Sequence, residues 1–485
     1  MWYRILFVSL LLATGSFVWF YRYPLAADMP MHMALAKAYA DHLTGIADGE
    51  SPYRPYLTVS SYELPELVLV PLILGFGLDT AWKIALSAYA VLFPLAIAFL
   101  VGRLNPESRW SRLVGFPLTL GYFFHWGFWP FLMGLLVAVA ATAVSLGERS
   151  SARPRASEIL TRLGTFLCHP VPAVCVGVFD AVRLGQGFLF QRGAGVAELL
   201  RTLGRWLWLW LPCVLLAFFM LGNDVDEGGF KWVSPLSQAK QLLRPFYLTR
   251  DWYEFALPLV FAGVLTFYLL KTSKLRAPQG FVLAAGIACV ALGLLMPRKA
   301  FIGSWENGAR VILYGFILIA ACWSWLERPL KPLILGWVLV GSAINLVGSH
   351  RLWTLHEPPF AWAMDLLRRE FSGYRVAGTG AWTGDNGIAL GNNLPVWAWC
   401  EGIAVDAENL AGVRKTGPAL YTGLPRPVRA SVKTVIMHHH PYQRPARLLE
   451  PRPDRRLFFD AWEIYSLEER LPLERLSQSG GRGVE

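Results

Sequence analysis

Long apolar runs separated by short polar stretches fill residues 1–348. A helix needs about 20 such residues to cross roughly 30 Å of hydrocarbon. Candidate spans lie near 5–21, 61–79, 82–102, 113–127, 128–147, 164–182, 206–221, 253–270, 279–296, 308–326 and 332–348. The first has an apolar core from Ile5 to Phe20, but Trp19, Phe20 and Tyr21 stand where a cleavage site needs small residues, so it reads as a retained helix. Two candidates carry features against full crossing. The run 61–79 opens on Glu63 and Glu66, and 164–182 is broken by His169-Pro170-Val171-Pro172. Proline removes a helix donor, so a bent or re-entrant segment is expected there. The pattern predicts an α-helical polytopic membrane protein with nine to eleven transmembrane or re-entrant helices. From about Phe360 it turns polar. Residues 360–371 read as an amphipathic helix, and Tyr374 to Ala381, Val432 to Met437 and Trp462 to Leu467 as short strands. Residues 349–485 are therefore expected to form a small α/β C-terminal domain beyond a transmembrane domain at 1–348.

Composition agrees with the pattern. Hydrophobic residues make up 54% of the chain and charged ones 16%, and mean hydropathy is +0.39. That excludes an ordinary cytosolic enzyme, a disordered tail, a collagen-like chain and a disulfide-stapled mini-domain. The six Cys are scattered and form no CxxC pair, so neither a zinc ribbon nor a disulfide framework is indicated.

The net charge of +11 suggests nucleic acid only until it is sorted by position. Basic clusters fall between apolar runs, at Arg103/Arg109/Arg112, Arg149/Arg153/Arg155/Arg162, Arg183/Arg192/Arg201/Arg205, Lys271/Lys274/Arg276 and Arg328/Lys331. Short loops rich in Lys and Arg stay cytoplasmic. The expected topology places the chain in the inner (plasma) membrane, with a cytoplasmic N-terminus and an exterior C-terminal domain.

Three loops left outside carry the candidate chemistry. The first, from Arg22 to about Glu66, is acidic, and its residues 29–43 have helical periodicity. Asp28 stands at the start of that helix, ahead of Pro30. It reads equally as an N-cap and as a carboxylate able to take a proton from a hydroxyl. His32, four residues on, shares its face, but two ligands do not make a metal site. The second loop is the aromatic turn Phe123 to Pro130, which suits an interfacial belt; its His125 is a candidate to line a headgroup pocket or meet the Asp28 loop. The third, Pro297 to Arg310, is basic where translocation disfavours it: Arg298, Lys299 and Arg310 against Glu306 alone. A guanidinium fork there fits phosphate, and in a membrane the natural phosphate is a lipid headgroup; the competing role for a single Arg is snorkelling.

This layout resembles the GT-C superfamily of membrane glycosyltransferases, such as protein O-mannosyltransferases and lipid A aminoarabinose transferases. The resemblance lies in a first helix followed by a long loop that begins Ala27-Asp28-Met29-Pro30-Met31-His32. It continues in the Pro-containing apolar stretch Glu63 to Leu72, a span ending Gly102-Arg103-Leu104, and the Pro–loop–Gly–Arg pattern from Pro297 to Arg310. It implies inverting transfer of a sugar from a polyprenyl-phosphate carrier to a glycan, lipid or protein hydroxyl. The family's first-loop acid, its base, maps to Asp28. The late basic residue that holds the donor phosphate maps to Arg310, with Arg298 and Lys299 as further candidates and His32, His125 and Glu63 as accessory ones. Two features depart from the family. The second exterior turn offers His125 but no carboxylate, and no paired acids of the metal-dependent oligosaccharyltransferase type are visible, which disfavours a divalent metal without excluding one.

Two other classes compete. A transporter or flippase would place ionisable residues at mid-span and show internal repeats; Asp180 is the main such residue, and no repeat is visible. A non-catalytic scaffold would not require Asp28 and Arg310 to converge. In the tail, consecutive side chains of His438-His439-His440 point in different directions along an extended chain, which disfavours a three-ligand metal site. The basic stretch Arg444 to Arg456 reads as a lipid-phosphate contact or a solvated linker.

Overall fold

A computed structural model gives the structure at residues 2–23, 26–45, 62–146, 155–190, 196–221, 232, 234–246, 248, 252–271, 277–297 and 306–370, and at five strands beyond them. The helices are α1 (Trp2–Ser16), α2 (Met29–Leu43), α3 (Glu63–Phe76), α4 (Leu78–Leu104), α5 (Phe116–Thr119), α6 (Tyr122–Trp126), α7 (Trp129–Leu146) and α8 (Ala156–Cys168). They continue as α9 (Pro170–Phe190), α10 (Val196–Leu221), α11 (Pro235–Ala239), α12 (Ala256–Lys271), α13 (Ala277–Leu295), α14 (Asn307–Cys322) and α15 (Glu327–Glu370). Large apolar side chains such as Leu12, Phe218 and Leu259 stand exposed on the bundle's outer face, as lipid-facing positions should.

Long-range contacts sort the bundle into two ends. At one, the carboxylate of Glu327 accepts the backbone N–H groups of Arg109 and Ser111 at 3.1 and 3.0 Å, and Asn105 Nδ2 donates to the carbonyl of Ser324 at 2.8 Å. At the other, Glu357 accepts the N–H of Tyr23 at 3.0 Å, and Arg22 forms a two-point pair with Asp365 at 3.0 and 3.1 Å. Both α1 and α15 run from the first end to the second, and α14 runs back. Asp28, the α6–α7 turn and Arg310 all lie at the second end.

Three of the expected spans take a different form in the structure. Among the described residues, four helical stretches are long and apolar enough to cross: Trp2–Phe20, Leu78–Leu104, Trp129–Leu146 and Asn307–Thr354, the last holding both α14 and the start of α15, with shorter apolar helices at Leu64–Phe76, Ala256–Phe267 and Gly280–Leu295. Prolines and glycines account for much of the difference. Helix α3 covers 14 residues, about 21 Å at 1.5 Å per residue, too short for the hydrocarbon. The run 113–127 is not one helix; Gly115, Pro117, Gly121 and Gly127 divide it into short pieces. Those pieces climb beside α15, with Trp337 Nε1 donating to Val114 O at 3.2 Å and Asn345 Nδ2 to Pro117 O further up. The run 164–182 breaks at His169, whose φ of −167° and ψ of 136° are the extended values that a following proline favours.

Some charge expected on cytoplasmic loops is buried instead. Arg162, 1% exposed, pairs with Asp180 through Nε at 2.8 Å and Nη2 at 2.9 Å, and Nη2 also donates to Ser145 Oγ at 2.9 Å. Trp210 Nε1 donates to the same carboxylate at 3.2 Å, and Arg205 reaches Glu158 at 2.8 Å. This network ties α7, α8, α9 and α10, and it occupies Asp180, the main mid-span acid that favoured a transporter.

Helix α15 runs unbroken through residues 348 and 349, so the span 332–348 and residues 360–370 of the expected amphipathic helix share one 44-residue rod, about 66 Å long. Beyond it lie β1 (Arg375–Thr379), β2 (Asp406–Ala407), β3 (Thr434–His439), β4 (Arg455–Phe459) and β5 (Trp462–Leu467). They pair in the order β2-β1-β3-β5-β4, with β1 parallel to both neighbours and β5 antiparallel to both of its own. His438 and His439 close β3, Arg455 and Arg456 open β4, and His440 and 444–454 lie outside the described residues.

Candidate functional site

The site is organised by the turn that joins α6 to α7. Gly127 ends α6 with φ +66°, a left-handed value at which a side chain is strained. A Cβ there would also come within 2.7 Å of the backbone nitrogen of Met29. This bare turn lets the first loop close on it: the N–H groups of Ala27 and Asp28 donate to the carbonyls of His125 and Trp126 at 2.9 and 2.8 Å. The two loops flagged in the sequence thus meet through backbone. The ring of His125 plays a different part, because Trp353 Nε1 donates to its Nδ1 at 3.0 Å and its Nε2 lies 2.8 Å from Ser349 Oγ. Both ring nitrogens are engaged in anchoring α6 to α15.

Asp28 occupies the N-cap position of α2, yet its side chain makes no capping hydrogen bond. Its carboxylate therefore remains available for other chemistry. Burial raises its pKa from 3.8 to about 6, against the opposing pull of His32 and Arg310. His32 Nδ1 lies 2.7 Å from Glu66 Oε1, and Glu66 is 1% exposed with Oε2 buried and unbonded. Glu66 reaches this position because Trp129 Nε1 donates to Pro65 O at 2.9 Å, fastening the start of α3 to α7. Glu63 opens α3, but its side chain lies outside the described residues, as do Arg298 and Lys299.

Arg310 lies in the first turn of α14, whose chain enters through Glu306 at a left-handed φ of 58°. Its position depends on how closely α14 packs on α13. A Cβ on Gly308 would run into Gln241 and the carbonyl of Gly293, and one on Gly315 would lie 2.7 Å from Gly286 O. These bare backbones let α14 carry Arg310 in to 4% exposure. The guanidinium carbon sits 4.1 Å over the Phe128 ring and 5.1 Å from that of Phe131. Nη1 lies 2.7 Å from His169 Nε2, and Nε is buried without a partner. No carboxylate pairs with Arg310 within 4 Å among the described residues. Asp28 and Glu306 act on it only through their fields.

Asp28 and Arg310 consequently share one turn: Asp28 is hydrogen-bonded to Trp126, and Arg310 is stacked on Phe128. Reasoning from sequence singled out both, and the structure brings them together with His32. It missed Glu66 as the partner of His32, and it took His169 only as part of a helix break. It also missed Arg244, which donates to Tyr122 Oη at 2.8 Å and lies 3.6 Å from Glu306. A polar ring inside an apolar run was a signal for His169; nothing in its sequence neighbourhood distinguished Arg244. Among the described residues no group of three or more His, Cys, Asp or Glu is arranged to hold a metal ion.

No family model matches the sequence, and no curated protein matches it either. The fold does match solved structures. The chain is similar to ArnT from Cupriavidus metallidurans bound to undecaprenyl phosphate, with a TM-score of 0.55 and 11% identity, over 95% of this chain and 97% of that one. It is similar to the same protein in the apo state with a TM-score of 0.50 and 12% identity, over the same shares. The chain thus shares the fold of these ArnT structures, the fold that the layout of the sequence led one to expect.

Proposed function

We propose that the chain is a glycosyltransferase that moves a sugar from a polyprenyl-phosphate carrier to an acceptor hydroxyl, with inversion at the anomeric carbon. The observation that carries this reading is the meeting of Asp28 and Arg310 on one turn: a base-competent carboxylate beside a buried guanidinium that has no ion-pair partner within 4 Å among the described residues. The binding of undecaprenyl phosphate by the structurally similar ArnT supports a lipid-linked donor. In the reaction, Asp28 takes the proton of the acceptor hydroxyl, whose oxygen bonds to the anomeric carbon. The bond from that carbon to the phosphate oxygen breaks on the opposite face. Its electron pair leaves with the lipid phosphate, whose charge Arg310 meets in a low-dielectric site. His32, held by Glu66, and the cation of Arg244 flank this centre. Arg298 and Lys299, close in sequence to Arg310, are proposed as further phosphate contacts.

The reading extends to the setting. The chain sits in an inner membrane with its N-terminus cytoplasmic, and the Asp28 end faces the exterior, where cell-envelope acceptors are found. Residues 349–485 carry the polar α/β part on that face, beyond the transmembrane part at 1–348. Mass spectrometry of lipid co-purified with the protein should identify a polyprenyl-phosphate sugar. Replacing Asp28 with Asn should abolish transfer from that donor in reconstituted vesicles without lowering the unfolding midpoint. Full activity in that variant would remove the assignment.

A further inference from the structure

The contact between Arg310 and His169 differs from the other buried polar pairs of the bundle, because donors meet the imidazole at both nitrogens. Nδ1 lies 3.1 Å from the backbone N–H of Val171, where the ring caps the first turn of α9. A neutral ring with Nδ1 accepting carries its proton on Nε2. Nε2, however, faces Arg310 Nη1 at 2.7 Å, and a guanidinium only donates. The single lone pair of the ring cannot serve both partners. Whichever tautomer forms, one N–H is aimed at another. With His169 1% and Arg310 4% exposed, solvent has little room to relieve the conflict, and Arg310 Nε adds a further buried, unbonded donor.

The rings around the pair are fixed. Tyr62 and Phe131 stand edge-on to His169 at 5.0 and 5.8 Å between centroids. Gly134 lies behind the break, where a Cβ would come within 3.3 Å of the Cβ of His169. What the arrangement lacks is an acceptor with several lone pairs and negative charge. We propose that Arg310 and His169 together grip an oxyanion of a phosphate ester, with His169 donating from Nε2 while its cap bond to Val171 stays in place. This rests on the transfer reading given above and adds His169 to it as a second ligand of the carrier phosphate. Phosphate oxygens accept from both residues at once, so the ligand turns a donor–donor contact into two charge-assisted hydrogen bonds.

The test uses the purified full chain in detergent, with undecaprenyl phosphate as one probe and inorganic phosphate as the other. His169→Ala should weaken binding of undecaprenyl phosphate by about tenfold to a hundredfold, the loss expected for a hydrogen bond to a charged group. His169→Gln, which keeps an N–H near the same place, should recover most of it. In 15N-histidine spectra the His169 signal, identified by its absence from His169→Ala, should report a protonated Nε2 that shifts when undecaprenyl phosphate is added. A ring that only caps α9 would not respond, and this measurement needs only the unaltered fold. If Arg310→Ala loses the lipid while His169→Ala keeps wild-type affinity and the wild-type Nε2 signal does not move, the role of His169 is overturned and the transfer reading survives. If Arg310→Ala binds the lipid as well as wild type, both fall. If inorganic phosphate binds as tightly as the lipid, with the same dependence on His169, the oxyanion grip stands and the lipid carrier does not.

Discussion

Burial of Asp28 makes its chemistry depend on pH in a direction that can be worked out. The carboxyl is held at about 6, more than the fields of His32 and Arg310 can offset. A base must be ionised to accept a proton. At a pKa of about 6 the ionised fraction is roughly nine-tenths at pH 7, half at pH 6 and one-tenth at pH 5. The rate of sugar transfer, read as kcat/KM in vesicles buffered from pH 4.5 to 8.5, should therefore rise about tenfold between pH 5 and its plateau. Replacing Arg310 with Gln removes one of the two fields that favour the carboxylate, so the residual activity should inflect at a higher pH than wild type. Stability has the opposite sign. Between pH 4 and 6 the folded state keeps a proton that the unfolded state has released, so this group makes unfolding easier as pH rises through that window. A flat rate profile from pH 5 to 8 would refute the reasoning, and so would an inflection near 6 that persists in Asp28→Asn.

Three further outcomes follow from packing. Arg162→Leu should lower stability by about 3–5 kcal/mol, because it leaves Asp180 buried and unpaired; adding Asp180→Leu should restore much of the loss in detergent unfolding curves. Gly127→Ala should cost about 1–2 kcal/mol from its left-handed backbone alone. It should also push the Asp28 turn off α6, so transfer is expected to fall further than the unfolding midpoint suggests. Gly308→Ala should force α14 away from α13 and withdraw Arg310, seen as a lower unfolding midpoint together with weaker binding of undecaprenyl phosphate.

The sequence by itself determined the solvent of this protein and the two residues to watch. Apolar runs and scarce charge demand a bilayer whatever the packing, since that much oil cannot be covered in water. Asp28 was visible because a helix start follows a span, and Arg310 because cations stood where the loop rule disfavours them. Periodicity is local, however, and it could not separate one long helix from pieces divided at glycine and proline, as at 113–127, or show α15 running on past its apolar part. Nor could it pair Arg162 with Asp180, since a charge in a loop and a charge in a buried bond look alike along the chain. Only the tertiary structure decided that Asp28 and Arg310 share the turn at Gly127, that Glu66 reaches His32, and that His169 meets a guanidinium. Those contacts join residues far apart in sequence, and they exist because bare backbone at Gly127 and Gly308 lets helices and loops approach more closely than side chains would allow.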